Sequence, residues 1–322
     1  MARLTNDSAE LVPRTGFDRP ELRFEFPGLE IGVAEYEEGP TGCTVFSFPQ
    51  GAAASIDVRG GSPGITGAGY DLVHGICLAG GSVYGLEATA GVAAELFARR
   101  GYRTGWLEIP LVAGAIIFDW GRRDNAVYPD KELGRAALRA ARPGVFPLGA
   151  RGAGRSATAG KLFAYEEGEQ AGQGAAFRQV GETRLAVFTV VNAVGAIVDR
   201  DGEVVLGHYE RETGLRRALV TGVEERLADG LPVRPPPGNT TLTVVATNLR
   251  LDQRQLRTLG RQVHASMARG IQPFHALEDG DVLFAVTTGA VESDPLLDTT
   301  ALGVVASELA WDAVLSVVAE TA

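Results

Sequence analysis

Apolar and polar residues alternate over 29–36 and resume over 43–48, and the intervening Glu38-Gly39-Pro40-Thr41-Gly42 is rich in turn formers, which predicts a β-hairpin. A further short strand is predicted over 53–59, ahead of a glycine-rich loop at 60–69. The period then lengthens. Val83, Leu86, Ala90, Ala93, Leu96 and Phe97 recur on one face, which predicts a helix over 83–100 with Ser82 as its N-cap. Further on, 111–120 reads as a buried strand, 130–141 as a helix capped by Asp130, and 184–198 as the longest β-like run. Asp201-Gly202 is a hairpin turn into 204–206, and a charged helix follows near 215–227. Leu256, Leu259, Val263 and Met267 make the apolar stripe of a helix capped by Asp252. A strand at 282–286 and a last helix from Thr299 or Thr300 complete a pattern of layered α and β structure.

The sharpest change in pattern lies between 235 and 248. Pro235-Pro236-Pro237 cannot join a central sheet, Gly238-Asn239 is a turn signal, and the β-branched run that follows reads as a buried strand. Thr240 stands on that boundary. A strand beginning after a loop is the plain reading. Were the bond before Thr240 cut, however, one residue would carry both a hydroxyl nucleophile and a free α-amine, the arrangement of an N-terminal threonine hydrolase.

Composition narrows the field. With 322 residues and 45% hydrophobic content the chain can bury a substantial core. A formal charge of -10, from 40 acidic and 30 basic residues, argues against nucleic acid or an anionic membrane as partner and favours a small-molecule or peptide-like substrate. Cys43 and Cys77 are too few for a disulfide scaffold, so a cytoplasmic location is expected. Residues 1–20 lack an apolar segment and are expected to form a partly ordered arm, neither secretory signal nor anchor. No apolar run approaches the roughly 18 residues of a membrane span. His74, His208, His264 and His275 show no metal-ligand spacing, so neither metal nor cofactor is expected, and His264 reads as a surface residue.

Besides Thr240, four polar residues stand out as candidate chemistry. Lys161 leaves a glycine-rich loop whose small neighbours would let an ammonium reach a cleft. Asn192 lies inside an apolar β run, where an unpartnered amide is costly; it either caps backbone at a strand end or aims at a developing oxyanion. Asp279 and Asp281, two apart in extended backbone, would share a face, and two such close carboxyls resist ionising together. Asp-Gly-Asp is also an ordinary turn. Gly80-Gly81-Ser82 before a helix is a weak phosphate-loop signal without the full spacing, and a small-molecule binding protein built on it is one rival function.

Taken together, Asn239-Thr240-Thr241, Thr247-Asn248, the segment from Gln262-Val263-His264 through Gln272-Pro273-Phe274-His275, and Asp279-Gly280-Asp281 resemble the self-cleaving aminopeptidase and amidase family, most closely its nylon-oligomer hydrolase branch. Upstream segments agree: Tyr36-Glu37-Glu38-Gly39-Pro40, Ile76-Cys77-Leu78-Ala79-Gly80-Gly81, Ala126-Val127-Tyr128-Pro129-Asp130-Lys131 and Gly172-Gln173-Gly174. The resemblance implies an αββα sandwich of the N-terminal-nucleophile type, one catalytic domain over 21–322. It implies self-cleavage between Asn239 and Thr240 into chains 1–239 and 240–322, and a homotetramer of the processed heterodimers. It further implies that Thr240 is the nucleophile of an endo-type hydrolase of 6-aminohexanoate (nylon-6) oligomers, with Asp279, Asp281, Lys161 and Asn192 around it. Phe118, in Ile117-Phe118-Asp119, takes the place of a family tyrosine and is expected to bind substrate without offering a phenolic donor. An aminopeptidase or β-peptidase of the same family and an acyltransferase akin to the ornithine acetyltransferases are the alternatives.

Overall fold

The computed structural model describes residues 3–18, 20–292, 294 and 297–318. Its first hairpin is formed by β1 (Glu30–Tyr36) and β2 (Thr41–Val58), with Glu35 opposite Gly42. The two strands expected over 43–48 and 53–59 are therefore one strand of 18 residues. Pro49 and Gly51, at φ 78°, fall where its register with β3 (Leu72–Ala79) slips between Ser47 and Ala52. A proline and a left-handed glycine are tolerated at such an irregularity, and the chain bends there without ending. The first half of β2 pairs with β1 and the second with β8 (Val282–Val291), so this strand crosses from one layer of the molecule to the other.

Strand β4 (Val112–Ile116) is shorter than the 111–120 predicted, and Trp120 opens a separate helical turn. With β5 (Gly172–Val180), β6 (Thr183–Asn192) and β7 (Thr240–Leu249), the main sheet runs β5-β6-β7-β8-β2-β3-β4, and β1 lies beside the first half of β2. The sheet folds over on itself. Phe46 of β2 lies 5.1 Å, centroid to centroid, from Phe188 of β6, and Phe146 lies 5.0 Å from the same ring. Between the layers Phe46, Ile76, Leu78, Phe188, Val190, Leu242, Val244 and Phe284 are buried together. Each such side chain contributes about 1.5–3 kcal/mol through burial.

The opposite faces of the strands are covered by helices. α1 (Leu86–Arg99) and α2 (Lys131–Arg139) place Ala88, Val92, Leu133 and Ala137 against Cys43, Val45 and Cys77. α4 (Gln253–Ser266) and α5 (Thr299–Ser316), which follow α3 (Leu219–Ala228) in the chain, place Leu256, Leu259, Val263, Leu302 and Leu309 against Val187, Val245, Leu283 and Ala285. Helix, sheet, sheet and helix thus lie in succession. Asp130 caps α2 through Leu133 N, and Asp252 forms a reciprocal capping box with Gln255. Ser82 does not cap: it has φ 52° inside a short 3-10 turn at Ser82–Gly85, and α1 begins after it. No helix among the described residues is long and apolar enough to cross a membrane.

Candidate active site

Thr240 is the first residue of β7, at 4% exposure, and pairs with Asn192, the last residue of β6. The strand starts there because the prolines before it supply no ladder donors and Gly238, at φ 90°, turns the chain into the sheet. A Cβ on Gly238 would lie 2.7 Å from the Phe118 ring, so the turn also needs glycine for space. Asn239 is held from three directions. Its N–H donates to Glu278 O at 3.3 Å, its side-chain amide donates to Pro236 O at 2.6 Å, and its carbonyl accepts from Gly280 N at 2.8 Å. The Thr240 hydroxyl donates to that same Asn239 carbonyl.

Asp279 and Asp281 are both fully buried on either side of this junction. Asp279 accepts from Val194 N and Ala276 N, each at 3.2 Å. Burial, reinforced by the charge of Asp281, raises its carboxyl to about 7 against the pull of those two N–H groups and of Lys161. Asp281 accepts from Thr241 N at 2.7 Å through Oδ1, and from His275 N at 3.1 Å and His275 Nδ1 at 2.9 Å through Oδ2. The residue between them is constrained just as closely. A Cβ on Gly280 would meet Ser62 O at 2.5 Å and Thr240 Oγ1 at 2.9 Å.

Lys161, 2% exposed, does reach inward: its Nζ donates to Asn192 O at 3.2 Å and Asn192 Oδ1 at 3.3 Å. Desolvation lowers its ammonium to about 7, against the upward pull of Asp279. Asn192 sits at a strand end, and its amide is committed to Phe118 O at 3.0 Å and Gly238 O at 3.2 Å. The backbone donor on the Asn239 carbonyl, beside the Thr240 hydroxyl, is therefore Gly280 N, and the Asn192 amide is not bonded to it. The structure thus gathers Thr240, Asn239, Asp279, Asp281, Lys161 and Asn192 about one peptide bond. The Phe118 ring lies on Gly238 and also lines a cavity of about 560 Å³ with Tyr84, Trp120 and Tyr128.

The place of His264 differs from the expectation drawn from sequence. His264 is fully buried, not on the surface, with Nδ1 2.9 Å from Asp57 Oδ2 and its ring edge-on to His275 at 4.5 Å. Only the polar character of its neighbours on α4 suggested exposure. Gly280 and His275 were missed as contributors; the glycine between two aspartates was the available signal for the first. The Gly80-Gly81 loop is satisfied internally. Asp119 accepts from Gly81 N at 2.9 Å, and Thr41 and Arg123 bond to the same carboxylate, at 2.6 Å each. Among the described residues no group of His, Cys, Asp and Glu is arranged to hold a metal ion.

Two solved structures share this architecture: the Burkholderia sp. beta-aminopeptidase and the L-aminopeptidase D-Ala-esterase/amidase of Ochrobactrum anthropi, the latter described as a variant of the Ntn hydrolase fold. The first aligns at TM-score 0.63 and 19% identity over 95% of this chain and 89% of its own; the second at 0.62 and 16% over 94% and 87%. The fold is accordingly that of the N-terminal-nucleophile aminopeptidases. The profile of Peptidase family S58 matches residues 25–322, and the chain belongs to that family. It is 50% identical to the 6-aminohexanoate-oligomer endohydrolase of an Agromyces strain, over 96% of this chain and 89% of the relative. An uncharacterized aminopeptidase of Mycobacterium tuberculosis is 34% identical, over 79% of this chain and 75% of the relative.

Proposed function

We propose that the protein is an amide hydrolase that activates itself by cutting between Asn239 and Thr240 and then hydrolyses internal amide bonds of 6-aminohexanoate oligomers. The observation that carries this reading is the contact of the Thr240 hydroxyl with the Asn239 carbonyl, whose oxygen already accepts from Gly280 N at 2.8 Å. In the first act, Thr240 Oγ attacks the Asn239 carbonyl carbon, and Gly280 N–H stabilises the oxygen as it becomes negative. The C–N bond breaks, leaving an ester on Thr240 Oγ and a free amine on the same residue. Water then hydrolyses the ester, releasing the Asn239 carboxylate. To Lys161, bonded to the Thr240 ladder partner Asn192, and Asp279, paired with Asn239, both near 7, we assign the removal of the hydroxyl proton and the return of one to the departing amine.

In the second act the same hydroxyl attacks a substrate amide, the amine product leaves, and water releases the acyl group. Methylene segments of an oligoamide would lie along Phe118, Tyr84, Trp120 and Tyr128, whose cavity adjoins the junction through the Phe118 ring. The 50% identity to 6-aminohexanoate-oligomer endohydrolases supports this substrate class. A homotetramer of cut heterodimers in the cytoplasm is the assembly we associate with it. The aminopeptidase relatives support a second reading, terminal trimming of short peptides. Intact mass of the purified protein tests the first act: polypeptides 1–239 and 240–322 are expected, and a fully active uncut chain would falsify it. Product lengths from a long oligoamide separate internal cutting, which gives mixed lengths, from trimming, which gives monomer alone.

A further inference from the structure

Asp281 does not touch the Asn239–Thr240 bond through its carboxylate; it grips the next peptide, accepting Thr241 N at 2.7 Å. What fixes Asp281 is His275. The backbone N–H and ring Nδ1 of His275 converge on Asp281 Oδ2, at 3.1 and 2.9 Å, and together with Thr241 N they account for three donors on one fully buried carboxylate. The convergence depends on His275 adopting φ 61°, a left-handed conformation uncommon for residues other than glycine and open also to asparagine. The ring is boxed in, lying against Phe274 at 3.9 Å and edge-on to His264 at 4.5 Å. His264 is in turn anchored to Asp57, and Asp57 to Arg59 at 2.7 Å.

His275 contributes nothing to the ladders of the main sheet. A strained backbone, two donors on one oxygen and a buttressed ring are concentrated on a residue whose removal would leave those ladders unchanged. We propose that His275 is a positioning residue for self-cleavage: acting through Asp281, it orients the Thr240–Thr241 peptide so that the Thr240 hydroxyl stays on the Asn239 carbonyl. This rests on the reading of Thr240 as the nucleophile. It adds a part to that machinery outside the carboxylate pair, the lysine and the asparagine.

The test follows conversion of full-length chain to two fragments over time after cell-free synthesis. His275→Asn keeps both a side-chain donor and the backbone conformation, whereas His275→Gly keeps only the conformation. Cleavage by His275→Asn is expected within about threefold of wild type and that by His275→Gly at least about tenfold slower, since small misplacement of reacting groups is costly. The double variant His275→Gly, Asp281→Asn should be no slower than Asp281→Asn alone, because the two act in series. Should His275→Gly not fold, His275→Asp, which has the size of asparagine, is expected to be at least about tenfold slower than His275→Asn. Wild-type rates in His275→Gly, equal rates for the Asn and Asp variants, or additive losses in the double variant would each overturn the proposal. Thr240→Ala separates the two levels: cutting in that variant sinks the nucleophile, while an uncut Thr240→Ala beside a normally cut His275→Gly sinks only the role of the histidine.

Discussion

Strand β7 has two polar ends, and they do different things. At its far end Asn248 is 3% exposed, with its carbonyl accepting Arg184 N at 2.7 Å and its amide donating to Glu182 O at 2.9 Å, while Thr287 closes on Leu249 O at 2.6 Å. Every one of these groups is neutral, and each ties off a loose backbone atom. At the near end Thr240 is just as buried, yet Asp281 bonds the residue after it, Asp279 pairs with the residue before it and Lys161 bonds its ladder partner Asn192, and Asp279 and Lys161 are driven from opposite directions to about 7. Buried polarity alone therefore marks nothing. The difference lies in groups that can exchange a proton near neutrality, held beside a carbonyl that already has an N–H donor on its oxygen.

The largest break in this contrast should come from Thr240→Ala, which is expected to leave an intact, folded chain with turnover at background, as seen by mass spectrometry and amide hydrolysis. Thr240→Ser should restore cutting, since the hydroxyl is kept. Next, Gly280→Ala forces a methyl towards Ser62 O and Thr240 Oγ1 and shifts the N–H on the Asn239 carbonyl; self-cleavage should slow by about 10²–10³-fold on a gel time course.

Asp279→Asn should slow cleavage by about 10²-fold or more if the carboxyl handles a proton. The same variant carries a signature in stability. A carboxyl raised to about 7 makes the folded chain bind an extra proton, so its contribution is complete below about pH 4 and is lost as pH rises through 7. The melting temperature of wild type minus that of Asp279→Asn should accordingly fall between pH 4 and 7. Lys161, lowered to about 7, acts in the opposite sense: its contribution is complete above about pH 10.5 and is lost as pH falls through 7. The slope is the observable, because the asparagine amide also faces Ala276 N, which donates to Asp279 in the wild type. Smallest in its effect on chemistry is Asn248→Ala. It should cost about 1–3 kcal/mol in denaturant unfolding, by orphaning Arg184 N and Glu182 O, while cleavage proceeds at the wild-type rate.

Much of this is legible in the amino-acid order itself. Periodicity located the hairpin, the caps at Asp130 and Asp252, and the strand starting at Thr240, because each depends on residues within a few positions of one another. The same local view split β2 in two, since Pro49 and Gly51 end a strand unless a distant partner, here β8, carries it on. Asn192 was singled out for being an amide among valines; where its amide points depends on Phe118 and Gly238, 74 and 46 residues away in the chain. His264 failed for the converse reason. Its helix looks polar locally, and only the approach of Asp57, 207 residues distant, makes a buried imidazole tolerable. Gly280 carries no such mark in the sequence, because the importance of a missing side chain lies in Ser62 and Thr240 crowding it from far along the chain.

The order of strands has a further consequence. β7 and β8 both lie after residue 239, yet they are neighbours in the middle of the sheet, with β6 on one side and β2 on the other. A backbone opened at Thr240 would yield two polypeptides woven through each other like fingers of two hands. Pulling them apart would mean unzipping Leu185–Asn192 from the one flank and 53–58 from the other at once, so the halves should travel together through any native column and part only in denaturant.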